Sequence, residues 1–367
     1  MKKVIVFLLV FAMIGILALA FTGCKDNNKP TIESIQVYVP DGGPALGMAY
    51  LMKEYAEIDG VNVEYNIRSD TAQLTAAEQL VAAVSNGDAD VAIMPTNLAA
   101  KLYNAGKEIV LVGTNSNGLL YLVSDKEGTI TLDDLKGEVV YMVGQGGTPE
   151  AVLRKVLAAN DIECVVAELD SNDKPISVEG KVALYYSAGT VVINGLADGS
   201  IHNAVLGEPA VSTALVRGAA KNIKIALDLQ ALWKEATNGT DDGYPQTALV
   251  VKKSLATSYK DIVEKIAKLT IDGGAALIAD ATEYVDYLRV EMSSTQVPPT
   301  LKQAGVLRAN IDPRFGSVAK GQIEAYLTIL KDFDNKLIGG KLPDAGFYYD
   351  DGGVLESYRT SVKNTAK

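Results

Sequence analysis

Histidine is nearly missing from this 367-residue chain: His202 stands alone, and only two cysteines occur, Cys24 and Cys164. A single histidine excludes a His-rich zinc site and any mechanism needing several histidines in turn. No Gly-Lys-Ser/Thr phosphate loop occurs. The stretch Gly144-Gln145-Gly146-Gly147-Thr148-Pro149 starts like a dinucleotide fingerprint but lacks its third glycine. Carboxylate catalysis has no close Asp/Glu pair on the predicted rim loops to draw on. Basic residues are also short, 34 against 45 acidic ones, and the formal charge of −11 leaves no basic face for a nucleic acid. Aromatics reach 7% and charged residues 22%, within the range of an ordinary globular protein. These shortages point away from an enzyme and from a metal or cofactor site. His202 falls in Asp198-Gly199-Ser200-Ile201-His202-Asn203, a solvent-facing loop. Cys164, in Ile162-Glu163-Cys164-Val165-Val166, is expected as a small buried hydrophobe rather than a reactive thiol.

What is present begins with a leader. Lys2 and Lys3 precede an apolar run from Val4 to Phe21, then Thr22-Gly23-Cys24 and the polar stretch Lys25 to Pro30. A cationic start, an apolar centre and small residues before a cut make a secretory signal, although the run also approaches the lower length limit for a membrane span. The small residues and the cysteine decide between the two. Thr22-Gly23-Cys24 resembles the lipobox of bacterial lipoproteins, with Phe21 where that motif usually has leucine. The resemblance implies that Cys24 becomes the lipidated first residue. Residues 1–23 are then a lipoprotein signal peptide and 24–34 a tether, and the folded part lies outside the cytoplasm, anchored to the cell membrane. With one cysteine committed, no internal disulfide is left. No polybasic cluster follows Cys24, so lipid is the membrane attachment. Loss of Lys2 and Lys3 takes the charge from −11 to −13.

From residue 35 the pattern alternates in short units. Ile35–Val39 is a predicted strand, followed by a helix with Ala45, Met48, Ala49, Met52 and Tyr55 or Ala56 on one face. Val61–Ile67 alternates as a second strand. Arg68–Thr71 starts a helix striped by Leu74, Ala77, Val81 and Val84 and ended by a glycine cap at Asn86-Gly87-Asp88. Asp90–Met94 is a third strand, Thr96 or Asn97 caps the next helix, Gly106 closes it, and Glu108–Thr114 is a fourth strand. Connections this short imply parallel strands, whose ligand sites lie beyond their carboxyl ends. The turns at Asp41–Gly43, Arg68–Thr71 and Pro95–Asn97 all fall at that end. The rhythm breaks at Asn115–Gly118 and begins again from Glu138, with a second glycine-rich turn at Gly144–Gly147. Leu206-Gly207-Glu208-Pro209 is expected to carry the chain out of this second set, and Thr247–Val251 is one more strand before mostly helical patterns. The prediction is two lobes, residues 35–116 with 209–367 and residues 117–208, joined by two crossings as a hinged clamp.

Each bare turn leads into a helix whose first N–H groups lack partners and carry partial positive charge. Such a turn can hold an anion or a polar ring edge without a charged side chain, and Pro44 and Pro149 suit the first helical positions. Strand-to-helix turns also take small residues for purely local reasons. The matched pair facing one cleft favours binding.

In their order along the chain, several segments resemble one family. They are Cys24, Val39-Pro40-Asp41-Gly42-Gly43-Pro44, Gly87–Ala92 before Pro95-Thr96-Asn97, Gly144–Pro149, Leu206–Pro209 and Tyr244-Pro245-Gln246. The family is the extracytoplasmic solute-binding proteins of ABC importers in the nitrate/sulfonate/taurine group, related to proteins that bind thiamine-pyrimidine precursors. The resemblance covers nearly all of the mature chain. It implies an α/β type II periplasmic-binding-protein fold that closes on a small molecule and hands it to the transmembrane permease subunits, as a monomer without a cofactor. Carried over by position, it implies ligand contacts at Asp41, Gly42, Gly43 and Pro44, at Arg68 and Ser69, at Thr96 and Asn97, at Asn117, at Gln145, Gly146, Gly147 and Thr148, at Tyr186 and Ser187, and at Glu208. The amides of Gly43, Gly147 and Thr148 would meet acceptors on the ligand. Thr96, Asn97 and Gln145 would orient it, and Tyr186 would stack on a ring. Glu208 has the alternative of only fixing crossing strands, and Arg68 that of solvating the sheet edge. A sulfonate-like anion and a neutral heteroaromatic ring both suit this lining. A pyrimidine-synthase-like enzyme of the same broad family needs a histidine and a Cys-rich motif that this chain matches poorly, and a sensory module would share every feature named.

Overall fold

The structure, a computed structural model, describes residues 32–71, 73–239 and 243–365; the leader, Cys24 and nearly all of the tether lie outside the described residues. Ser34 onward forms one compact unit, which holds the whole fold that follows. Its first lobe opens with Ser34–Pro40 (β1), Gly43–Glu54 (α1), Glu57–Ile58 (β2), Val61–Arg68 (β3), Ala76–Asn86 (α2), Val91–Pro95 (β4), Thr96–Asn104 (α3) and Ile109–Ser116 (β5). The second lobe contains Leu120–Ser124 (β6), Val139–Met142 (β7), Thr148–Ala159 (α4), Cys164–Val166 (β8), Val182–Tyr186 (β9), Gly189–Asp198 (α5), Asn203–Gly207 (β10), Ala210–Arg217 (α6), Lys224–Asp228 (β11) and Leu229–Thr237 (α7). The chain then returns through Thr247–Lys252 (β12) to the helices Lys253–Ser258 (α8), Lys260–Ala279 (α9), Thr282–Val290 (α10), Gln303–Arg308 (α11), Gly316–Phe333 (α12) and Val354–Thr365 (α13). No helix among the described residues is long and apolar enough to cross a membrane.

Two six-stranded sheets result, in the orders β2-β3-β1-β4-β12-β5 and β11-β6-β10-β7-β9-β8. Strands linked through a helix pair in parallel, as β1 does with β3 and β4 and β7 with β9. Strands entering from the other lobe need no such return. Accordingly β12 lies antiparallel between β4 and β5, and β6 lies antiparallel to β10 and β11.

That pairing corrects one predicted boundary. The chain does not leave the second lobe at Leu206–Pro209: β11 still pairs with β6, and only β12 rejoins the first sheet, so the return crossing lies between Thr237 and Thr247. An antiparallel edge strand leaves no helical-crossover signature, and so the pattern hid it. The start of α2 also differs. Thr75 and Glu78 form a capping box, with Glu78 N–H donating to Thr75 Oγ1 at 3.2 Å and Thr75 N–H to Glu78 Oε2 at 2.8 Å, leaving Leu74 outside the helix and 46% exposed. Neither Thr96 nor Asn97 caps α3; both lie inside its first turn, after Pro95.

The second lobe has a buried cluster of its own around Val123, Leu196 and Val211, and the lobes also share one. One cluster of buried side chains runs from Met94 and Leu111 of the first lobe through Leu119, Trp233 and Tyr244 to Val140 and Leu153 of the second. At roughly 25 cal/mol per Å² of apolar surface removed from water, this shared packing stabilises the joint between the lobes.

Asp312, in the loop before α12, ties the outbound crossing to the C-terminal helix. Its carboxylate accepts from Arg359 Nη2 at 2.8 and 2.9 Å and from Arg314 Nε at 3.1 Å, and pairs with Lys363 Nζ at 2.8 Å; its carbonyl accepts from Asn117 Nδ2 at 2.9 Å. Burial alone would push this carboxyl up, but Lys363 and Arg359 outweigh it and hold it below the ordinary aspartate value. A carboxyl depressed in the folded state stabilises above its unfolded pKa, and that contribution is lost as pH falls through the folded one. Asp312→Asn is therefore expected to cost on the order of 2 kcal/mol at neutral pH and to flatten the acid limb. Urea midpoints measured from neutral pH downward check this, because parent and variant must converge in acid.

Candidate functional site

The first bare turn lies at the junction of the lobes. Gly42 has φ +93°, open to glycine at no steric cost, and a Cβ on the buried Gly43 would lie 3.1 Å from the Glu208 carbonyl and 3.2 Å from Leu119 Cδ2. What this turn approaches so closely is therefore the hinge itself. Asp41, expected on the ligand, has its carboxylate engaged by the protein. It accepts from Gly42 N–H and Ser69 Oγ at 2.8 Å, from Thr295 N–H at 2.8 Å, from Gln296 N–H at 3.2 Å and from the Ser294 hydroxyl. It pins the end of β1 to the 294–296 loop, and Ser69 is committed with it. The Pro44 carbonyl accepts from Asn115 Nδ2 at 3.0 Å.

Two other expected contacts are likewise occupied by the fold. Asn117 is bonded through its side chain to Asp312 and through its N–H to the Asn310 carbonyl at 3.1 Å. The Glu208 side chain is inaccessible to solvent and accepts from Arg308 Nε at 2.6 Å and from the N–H and hydroxyl of Ser212 at 3.1 and 3.2 Å. It ties the β10–α6 turn of the second lobe to α11 of the first, and not, as raised from sequence, a pair of crossing strands. Arg68, by contrast, sits over the Tyr38 ring with its guanidinium carbon 4.8 Å from the centroid, and no carboxylate among the described residues pairs with it.

At the carboxyl end of β4, several buried oxygens have no partner: Thr96 Oγ1, Asn97 Oδ1, Asn115 Oδ1 and Gln246 Oε1. For Asn97 and Asn115 the amide orientation is settled by chemistry. Their nitrogens donate to the Leu337 and Pro44 carbonyls at 3.3 and 3.0 Å, so it is an acceptor that is left over in each. An unsatisfied buried polar group costs about 1–3 kcal/mol, which a bound water or solute would recover. Gln246 follows the Tyr244-Pro245 signature but was not anticipated as a contact. Asn115 had a faint signal in Gly47, because a Cβ at Gly47 would overlap its amide.

The second bare turn engages its own donors. Gly147 N–H, expected to meet the ligand, donates to the Gly144 carbonyl at 3.0 Å, and Gly146 N–H donates to Glu150 Oε2 at 2.7 Å. Gln145 is exposed. The Thr148 and Glu150 amides, at the start of α4, have no acceptor among the described residues. The Thr148 hydroxyl is buried and accepts from Tyr326 of α12 at 3.0 Å. Sequence gave no hint of Tyr326, which sits in an unremarkable amphipathic helix.

Behind the turn, Glu150 also takes Arg154 Nε at 2.7 Å, and Arg154 Nη1 reaches Cys164 Sγ at 3.3 Å. Burial would raise the Glu150 carboxyl, but the Gly146 amide, Tyr186 and Arg154 hold it below its ordinary value. Burial pushes the Cys164 thiol up despite Arg154, which keeps it a protonated, half-buried side chain. The Tyr186 hydroxyl feels this pair of charges without reaching hydrogen-bond geometry to either. Ser187 donates its N–H to the Met142 carbonyl at 3.0 Å.

Solved structures share this architecture. An ABC transporter protein from Parabacteroides distasonis superposes with a TM-score of 0.69 at 24% identity, covering 87% of this chain and 99% of the other. The periplasmic aliphatic sulphonate binding protein SsuA from Escherichia coli gives 0.61 at 15% identity over 87% and 93%. The ligand binding component of an ABC-type import system from Staphylococcus aureus, solved with zinc bound, gives 0.60 at 13% over 91% and 99%. These likenesses establish the two-lobed periplasmic-binding-protein fold. No curated protein matches the sequence significantly. Residues 47–286, from within α1 to α10 and so every strand but β1, match the sequence model of the NMT1-like family; this chain belongs to the NMT1-like family.

Proposed function

We propose that this chain is the solute-binding lipoprotein of an ABC importer, capturing a small sulfonate-like solute between its lobes and passing it to the permease subunits without chemical change. One observation carries this reading. Over most of its length the chain has the architecture of binding components of ABC import systems, one of them a sulphonate binder. Cys24 is then the lipidated anchor outside the cytoplasm, and the protein acts as a monomer. The anionic end of the solute lies at the first turn of α4, where the amides of Thr148 and Glu150 await an acceptor, with Arg68 as the one unpaired cation of the predicted rim. Thr96, Asn97, Gln145 and Tyr186 contact the rest of the solute.

The orphaned amide oxygens of Asn97, Asn115 and Gln246 favour a second reading, because acceptors call for N–H donors on the guest. An aminopyrimidine of the thiamine-precursor kind meets that need. A thermal-shift panel of taurine, an alkanesulfonate, nitrate and an aminopyrimidine separates the two. A solute at a hundred times its dissociation constant adds roughly 2.7 kcal/mol and raises the melting temperature by several degrees. A response to the sulfonates supports the first reading and a response to the pyrimidine alone the second. No response across the panel overturns both.

A further inference from the structure

The second glycine-rich turn has little packed on it. Residues 143–146 are exposed, and a Cβ at Gly146, whose φ is +71°, would meet nothing within 4 Å. A side chain of the following helix reaches back to it. Glu150, in the first turn of α4, accepts from the Gly146 amide through Oε2 at 2.7 Å and from Arg154 Nε through Oε1 at 2.7 Å. Arg154 extends Nη1 to Cys164 Sγ of β8 at 3.3 Å. Turn, carboxylate, guanidinium and edge strand thus form one line of contacts within the second lobe. On an open helix surface a Glu–Arg pair four residues apart is loosely held and screened by solvent. Here the two side chains are only 14% and 17% exposed, and both carboxylate oxygens are engaged.

The carboxylate also stands where it would hinder an anion. It belongs to the same helical turn as the Thr148 and Glu150 amides that have no acceptor among the described residues. An uncompensated negative charge there opposes a second one at those amides. The other titratable groups facing Glu150 are Tyr186 of β9 and Cys164 of β8; burial raises both, so both are neutral near pH 7. The compensating charge comes from Arg154. We infer that Arg154 is a positioning residue for anion capture: acting through Glu150, it holds the second glycine-rich turn and cancels the carboxylate's charge beside the α4 amides, without touching the solute. Capture of an anion at this helix start rests on the function proposed above; the hold on the turn does not.

Arg154→Met keeps much of the apolar stem and removes the charge and its hydrogen bonds. Deuterium uptake by the peptide spanning residues 143–147 is expected to rise several-fold in that variant, with uptake over β1 unchanged as the check on folding. Arg154→Lys, which keeps a cation near Glu150, should give a smaller rise. Uptake over the turn equal to the parent in Arg154→Met overturns the inference. With ethanesulfonate as the probe, Arg154→Met is expected to bind about tenfold more weakly at neutral pH, the effect of a nearby like charge left unpaired. Arg154→Met/Glu150→Gln should recover most of that loss, because glutamine is uncharged and its amide oxygen still accepts from Gly146. A pH profile separates charge from damage to the fold. In the parent, Glu150 is held below its ordinary value despite its burial by the Gly146 amide, Tyr186 and Arg154, so affinity should stay flat in mild acid. Without Arg154, burial raises the carboxyl, and the affinity of Arg154→Met should recover as falling pH protonates it. Parent-like affinity in Arg154→Met, a loss equal at every pH, or no recovery in the double variant overturns the inference. If ethanesulfonate binds none of these proteins, the sulfonate reading fails, and the role of Arg154 is decided by the deuterium uptake.

Discussion

Replacing Arg308 by methionine is expected to destabilise the folded chain by about 3–5 kcal/mol, the range for stripping a buried charge of its partner. Glu208 is wholly inaccessible, and its carboxylate depends on the guanidinium at 2.6 Å and on Ser212. Methionine fills much of the arginine stem's volume, so the loss comes from the uncompensated carboxylate rather than from a cavity. Ser212 offers two neutral hydrogen bonds, too few to stabilise a full charge away from water. The double variant Arg308→Met/Glu208→Gln should recover most of the loss. A double-mutant cycle by urea denaturation gives the coupling, and a cost for Arg308→Met below about 1 kcal/mol would mean that the pair behaves as a solvent-screened surface bridge. The pair joins α11 of the first lobe to the start of α6 in the second, so its loss should also loosen the joint.

A comparable effect is expected at Gly113→Ala, about 3 kcal/mol, at the upper end of overpacking costs. A Cβ there would fall under 3.0 Å from both the Phe315 ring and the Arg314 carbonyl. Phe315 is fully buried, and the segment carrying it is bonded to the same strand, with Thr114 N–H donating to the Arg314 carbonyl at 2.8 Å and Arg314 N–H to Thr114 Oγ1 at 3.1 Å. Neither neighbour can retreat without breaking those bonds. Gly321 in α12 is the internal contrast, since a Cβ there meets nothing within 4 Å. Gly321→Ala should stabilise by up to about 1 kcal/mol through helix propensity alone. Chemical denaturation of the two variants must give opposite signs; equal shifts would contradict the close approach at Gly113.

Much of the first lobe was legible because its signals are local. The strand and helix order of residues 35–116 follows from apolar periodicity, and the cap at Gly87 adopts φ +82° as its position after Asn86 implies. The Thr75-Ala-Ala-Glu78 box was equally local and was missed, because Arg68–Thr71 offered an earlier plausible start. Among candidate contacts, Asp41, Asn117 and Glu208 have their polar groups engaged within the protein. No local pattern could foresee that Thr295, Asp312 and Arg308 from the C-terminal half would take up those groups, or that Glu208 lies within the second lobe rather than at a crossing.

By itself the sequence determined the α/β class, the two bare turns, the family and the expectation of an exported leader, since each is written in residues close together along the chain. Only the tertiary structure decided that Gly43 faces the hinge, that the second lobe extends to α7, and that Tyr326 reaches a threonine 178 positions earlier. The physical reason is that contacts across such separations are chosen by how whole lobes pack together. No local pattern of apolar and polar residues carries that information.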